Sequence, residues 1–145
     1  MYAAVKGHGA FCNSQSIHVS NTETLDSANV ITDNSYEDAA MARTLKRHLA
    51  IYERTGTMPW TGIHGSGVLG FANIAHGRVD AFHHSSLKPW DNAAGILLVR
   101  EAGGVVWTLD GKEAKFTDAG ILAGTPKVAA ILRDIFAKID PELLY

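Results

Sequence analysis

The stretch Lys88-Pro89-Trp90-Asp91-Asn92-Ala93-Ala94-Gly95-Ile96-Leu97-Leu98-Val99-Arg100-Glu101-Ala102-Gly103-Gly104 carries its own start and stop. Proline suits a first helical turn, where its missing N–H would have no partner anyway. Asp91 follows in that turn, and the paired glycines close the helix. Short apolar runs flank it, Val79 to His83 before and Val105 to Leu109 and Ile121 to Ala123 after, and their length and bounding turns assign them to strands. Further out, Thr125-Pro126 opens a last helix whose core face is Val128, Ile131, Leu132, Ile135, Phe136 and Ile139, a repeat of threes and fours. Upstream, Gly62-Ile63-His64-Gly65-Ser66-Gly67 reads as a strand running into a glycine turn, with a helix over Val68 to His76. Ser35 and Asp38 give a helix start, and Met41, Leu45, Leu49 and Tyr52 recur at helical spacing, so Tyr36 to Arg54 is one amphipathic helix. Ala28 to Thr32 forms a buried strand and Gln15 to Ser20 a half-exposed one, after a glycine-rich opening from Gly7 to Asn13. Strands alternating with helices predict an α/β fold, a layered domain with a mostly buried sheet flanked by helices.

A chain of 145 residues, 46% apolar and 19% charged, holds one domain with a real core and is too apolar for intrinsic disorder. Thirteen basic against fifteen acidic side chains leave a net charge of -2. No global basic field exists to hold a nucleic-acid backbone or an anionic membrane, so an anionic ligand must be bound locally. The one cysteine, Cys12, excludes an intrachain disulfide and cysteine-built zinc, and fits a reducing, cytoplasmic setting. The N-terminal residues lack the pattern of a secretory signal, and the longest apolar run, near Ala93 to Val99, is too short to span a bilayer. The expectation is a soluble chain.

Several residues admit two readings. Asp91, at a helix N-terminus, either caps the helix or ligates a hard metal beside a phosphate site. Gly65-Ser66-Gly67 is either an ordinary turn or a place where backbone approaches a ligand. His83 and His84 are strand neighbours pointing to opposite faces, so they do not share one ion without a bend; exposed or edge histidines are the simpler expectation. His64 stands where a protonated imidazole would meet an anion. Cys12 lacks a basic neighbourhood and reads as an inert thiol. Arg43, Lys46, Arg47 and His48 read as a solvated helix face.

The run Trp90-Asp91-Asn92-Ala93-Ala94-Gly95, continuing through Val99-Arg100-Glu101-Ala102-Gly103-Gly104, resembles the C-terminal signature of the inositol monophosphatase family. Lys6-Gly7-His8-Gly9-Ala10-Phe11 with Asn13, then Gly65-Ser66, then Gly77-Arg78-Val79-Asp80-Ala81 follow in family order, so the resemblance covers nearly the whole chain. It implies a magnesium-dependent phosphomonoesterase, homodimeric when entire, that acts on a small phosphate ester. Asp91 matches the metal-ligating aspartate of the family's C-terminal half. Gly65, Ser66 and Gly67 match the segment that meets the substrate's alcohol portion. Two departures stand out. Nothing matches the family's N-terminal half, which supplies a glutamate ligand and the Asp-Pro-Ile-Asp-Gly-Thr signature; the only Asp-Gly is Asp110-Gly111, followed by Lys112. Residues 1–145 are therefore read as the C-terminal α/β domain of such a protein, inactive alone. His84, seven positions before Asp91, replaces a glutamate that often contacts inositol, and it joins Gly65, Ser66 and Gly67 as a substrate-binding candidate. The alternatives are a non-catalytic binding module, or a family phosphatase for a nucleotide bisphosphate, histidinol phosphate or fructose bisphosphate.

Overall fold

The computed structural model describes residues 1–33 and 38–145. The chain opens with an antiparallel sheet of β1 (Tyr2–Val5), β2 (Gly9–Cys12) and β3 (Gln15–Ile17), in that order. Asn13 and Ser14, with φ of 49° and 68°, form the two-residue turn between β2 and β3, the left-handed conformation that suits the twist of a tight hairpin. The expected strand from Gln15 to Ser20 is thus shorter, ending at Ile17, and the Val19 amide turns to donate to Ala102 O. β1 and β2 themselves were absent from the sequence reading.

A second, mixed sheet contains β4 (Asn29–Asp33), β5 (Trp60–His64), β6 (Ala81–His84), β7 (Val105–Thr108) and β8 (Ile121–Gly124), in the order β5-β4-β6-β8-β7. β4 is parallel to both β5 and β6, and β8 is antiparallel to β6 and β7. The helices are α1 (Asp38–Thr55), α2 (Gly67–Ala75), α3 (Pro89–Glu101) and α4 (Pro126–Phe136). Side chains alternate between two cores, as the period of a strand requires. Ile31, Phe82 and Ile121 face Phe71 of α2 and Ile96 and Val99 of α3, with Ala10 and Ile17 of the small sheet in the same cluster. Val30, Ala81 and Leu122 face Ile51 of α1 and Val128, Leu132 and Phe136 of α4. The layers run small sheet, α2 and α3, large sheet, α1 and α4. Gly95 lets α2 and α3 approach closely: a Cβ there would lie 2.3 Å from Phe71 Cδ2. α4 buries the apolar face expected of it, with Ile131 and Ile139 partly covered at its margin.

α1 departs from expectation. Its proposed start at Ser35 and Tyr36 lies outside the described residues. Beyond that, the Leu45, Leu49 and Tyr52 stripe is exposed, while Ala40, Thr44, Arg47, His48 and Ile51 are buried. Arg47 and His48 are therefore not part of a solvated face. Wholly enclosed, Arg47 donates from Nη1 to Leu144 O (2.9 Å), from Nη2 to Thr44 Oγ1 (2.8 Å) and from Nε toward His83 Nδ1 (3.4 Å). Those acceptors are what make burial of a guanidinium tolerable. Burial, together with the nearby Arg43 charge, lowers Arg47 to about 10. His83 and His84 are corrected too: both are buried, on a central strand, not exposed or at an edge. They do point to opposite faces. His83 stacks edge-on against Phe136 (5.4 Å) and lies 5.0 Å from the His48 ring, whereas His84 lies on the Phe82 side.

Candidate active site

Parallel strands present their carboxyl ends together, and here β4, β5 and β6 end side by side at Asp33, His64 and His84. In open α/β sheets this edge is where ligands bind, because helices begin there and direct their unpaired amides outward. α2 begins directly after β5. Ser66 is its N-cap, in extended conformation (φ -155°, ψ 114°), and its hydroxyl accepts from the Leu69 amide at 3.4 Å. Gly65 is exposed and Gly67 is buried under the first turn. These three residues thus form the mouth of a helix N-terminus, where partial positive charge favours an anion.

α3 begins after β6 through a short connection. Asp91 Oδ2 accepts the Lys88 amide at 3.0 Å, the capping bond foreseen for it. Oδ1 accepts no hydrogen bond among the described residues, so capping uses one of the carboxylate's two oxygens. Next to it, Asn92 is fully buried, and its Nδ2 donates to Asp118 O (2.6 Å) and Phe116 O (3.3 Å). It ties the connection between β7 and β8 to the first turn of α3. Sequence reasoning passed over Asn92, whose signal is a carboxamide on an otherwise apolar helix face.

His84 lies on the α2 and α3 side of the sheet, beside Phe82, with ring centroids 6.2 Å apart. Its Nδ1 accepts the Ser86 amide at 2.9 Å, which places the proton of the neutral ring on Nε2. His64 reaches the same edge, but its ring lies over Gly62, where Nε2 would sit 3.4 Å from a Cβ. Asp80, also unremarked for any role of its own, binds β6 to β4: its carboxylate accepts the Asn29 amide at 2.6 Å and the Ser20 hydroxyl. A groove of about 590 Å³ runs along α3, lined by Ala93, Leu97, Glu101 and Phe116 among others, and includes none of the five candidate residues.

Among the described residues no three His, Cys, Asp or Glu side chains converge to hold a metal ion. Asp91 has the hard oxygen that magnesium requires, yet magnesium demands near-octahedral oxygen coordination that one carboxylate does not provide. The described residues therefore offer one ligand and do not by themselves make a magnesium site. No helix among them is long and apolar enough to cross a membrane.

A mixed sheet between helix layers, with two helix N-termini and an aspartate at the carboxyl ends of its parallel strands, defines a layered α/β protein whose candidate site lies at that edge. The inositol monophosphatase family matches residues 1–139, and the chain belongs to that family. It is 35% identical to the Nus factor SuhB of Escherichia coli K12, covering 99% of this chain and 52% of SuhB. It is also 35% identical to the chloroplastic phosphatase IMPL1 of Arabidopsis thaliana, over 83% of this chain and 32% of that protein. The inositol monophosphatase of Anabaena (Nostoc) sp. PCC 7120 superposes with a TM-score of 0.83 at 27% identity, over 97% of this chain and 55% of that one. The chain spans about half the length of these relatives, or less.

Proposed function

We propose that residues 1–145 are the C-terminal α/β domain of a magnesium-dependent phosphomonoesterase that hydrolyses a sugar or polyol phosphate when complete and does not turn over alone. Asp91 carries this reading: it stands in the first turn of the helix that follows β6, with one carboxylate oxygen that accepts no hydrogen bond among the described residues, in the family's C-terminal signature. Asp91 would supply one metal ligand, and the others would come from outside the described residues. Gly65, Ser66, Gly67 and His84 are assigned to the substrate. A cytoplasmic setting is supported by the single cysteine, and a second copy of the chain is the expected partner. The similarity to SuhB, named a Nus factor, favours one further reading, a non-catalytic binding module.

A phosphate-release assay separates the two. The isolated chain is expected to show no magnesium-dependent hydrolysis of a phosphate-ester panel above background. Co-refolding with the complementary half of a relative is expected to restore it. Robust turnover by the chain alone overturns the incomplete-enzyme reading, and silence after reconstitution with a folded, bound partner half favours the binding module.

A further inference from the structure

Residues 87–92, the end of the connection from β6 and the first turn of α3, carry Asp91, and one short stretch between β7 and β8 grips them at both ends. At one end the Leu87 amide donates to Ala119 O at 2.9 Å. At the other, Asn92 Nδ2 donates to Asp118 O at 2.6 Å and to Phe116 O at 3.3 Å. Between these grips Asp91 Oδ2 accepts the Lys88 amide at 3.0 Å. That capping bond holds only while Lys88 and Asp91 keep their spacing, and the segment from 116 to 119 fixes the residues that flank both.

Packing alone does not account for Asn92. It is completely enclosed, and the other buried positions of α3 are Gly95, Ile96, Leu98 and Val99. Its Oδ1 finds no hydrogen-bond partner among the described residues. An enclosed carboxamide paired on one side only contributes less than an apolar side chain of the same size. What it supplies instead is two N–H donors in one plane, able to take two carbonyls of the same loop. The loop is built to present them. Asp118 Oδ2 accepts the Lys115 amide at 2.7 Å while the Asp118 amide donates to Lys115 O at 3.1 Å, closing residues 115–118 into a turn. Tyr145 then fixes both ends of the connection. Its ring packs on Gly120, where a Cβ would lie 2.3 Å from Cε1, and its hydroxyl donates to Asp110 Oδ1 at 3.1 Å.

We propose that Asn92 is a positioning residue of the candidate active site: through Asn92 and Leu87, the turn between β7 and β8 sets the Lys88–Asp91 capping geometry and so the direction in which Asp91 Oδ1 is presented. The role in turnover rests on the reading of Asp91 given above, whereas the clamp on Asp91 does not.

The test is amide exchange on the full chain, with a thermal melt of each variant, followed by turnover after reconstitution with the complementary half of a relative. In Asn92→Leu the Lys88 amide is expected to exchange about tenfold faster or more, with the amides of β4 and β6 unchanged. Asp118→Ala, which opens the 115–118 turn from a half-buried position, should move Lys88 in the same direction. Asp118→Asn, whose carboxamide oxygen still accepts the Lys115 amide, should return it to within about threefold of wild type. Should Asn92→Leu fail to fold, the two Asp118 variants decide alone. Faster exchange confined to Leu87 and the loop, with Lys88 unmoved, overturns the proposal. In the reconstituted enzyme Asn92→Leu should lower kcat about tenfold or more with KM nearly unchanged, since a displacement of about 1 Å near the chemistry costs on the order of 10²-fold. Equal kcat in variant and wild type overturns the positioning role. A wild type that stays silent after reconstitution overturns the phosphatase reading instead, and the exchange rates still decide whether the clamp sets Asp91.

Discussion

At Asp91 a single side chain carries two duties on separate oxygens. Oδ2 takes the Lys88 amide, and Oδ1 takes nothing from the described residues. An asparagine keeps a carbonyl oxygen for the cap and loses the charge that attracts a divalent cation. In a reconstituted enzyme, Asp91→Asn is expected to lower turnover by orders of magnitude while a thermal melt of the isolated chain shifts by about 1 kcal/mol or less. Near-normal turnover at saturating magnesium would leave Asp91 with the cap alone. The sequence made this residue legible because Pro89, two positions earlier, marks the helix start and so fixes where Asp91 stands. Arg47 was not legible in the same way. Periodicity shows that two opposed faces exist on α1 but not which one turns inward. That choice was decided by acceptors contributed from elsewhere, Leu144 O and His83 Nδ1, which no local pattern announces.

At the scale of elements, the C-terminal end of α3 is locked to the hairpin between β1 and β2. Glu101 accepts the Gly7 amide through Oε1 and the Gly9 amide through Oε2, both at 2.9 Å. Both glycines have positive φ, 78° and 89°, the conformation that turns successive amides toward one anion. These backbone bonds hold the Glu101 carboxyl below the usual carboxylate range. Glu101→Gln replaces a charged acceptor of two amides by a neutral one that accepts through only one of its two terminal atoms. The Gly7 and Gly9 amides should then exchange with solvent faster, while those of β6 and β8 are unchanged; equal exchange in both proteins would show that the carboxylate does not hold the hairpin. The element boundaries follow a related rule. The starts of α3 and α4 were found to the residue because proline begins each of them, whereas α4 ends at Phe136, short of the expected face residue Ile139. β1 and β2 went unseen because four-residue strands such as Tyr2-Ala3-Ala4-Val5 lack a clear alternation and are fixed by pairing with one another. The candidate site shows the same division. The glycine turn that leads into α2 was readable, since Gly65-Ser66-Gly67 precedes an apolar run, whereas the N-cap role of Ser66 and the convergence of α2 and α3 on one sheet edge depend on backbone geometry and on the parallel pairing of β4 with β5 and β6.

For the molecule as a whole, both cores meet buried polar groups. The one between the sheets adjoins His84 and Asn92, while the one beneath α1 and α4 adjoins Arg47, His48 and His83. Burial, then the Arg47 charge and those of His48 and His84, keeps His83 well below the ordinary histidine range. Burial also lowers His48, reinforced by Arg47 and partly opposed by a hydrogen bond to Thr44. In the unfolded chain both imidazoles take up a proton near pH 6.5, whereas in the fold they remain neutral to lower pH. The unfolded state therefore binds more protons in that interval. Stability should be full above about pH 6.5 and fall as the pH drops below it, by up to ~1.4 kcal/mol per pH unit for each histidine. The carboxylates act later. Asp110, held at about 2 by hydrogen bonds from Lys112 and Thr108, keeps its contribution until the pH passes below the ordinary aspartate value near 4. Between pH 6.5 and 5 the loss thus belongs to the histidine cluster, and it should open the α1 and α4 side first, together with the C-terminal turn that Arg47 holds at Leu144 O. Melting temperatures at pH 7.5 and 5, read beside amide exchange, check this. Protection should fall in α1 and α4 before α2 and α3, and His83→Leu, which keeps an apolar contact with Phe136 and removes the titrating ring, should flatten the profile. A melting temperature constant across that range, or a slope that His83→Leu leaves unchanged, would place the acid sensitivity elsewhere.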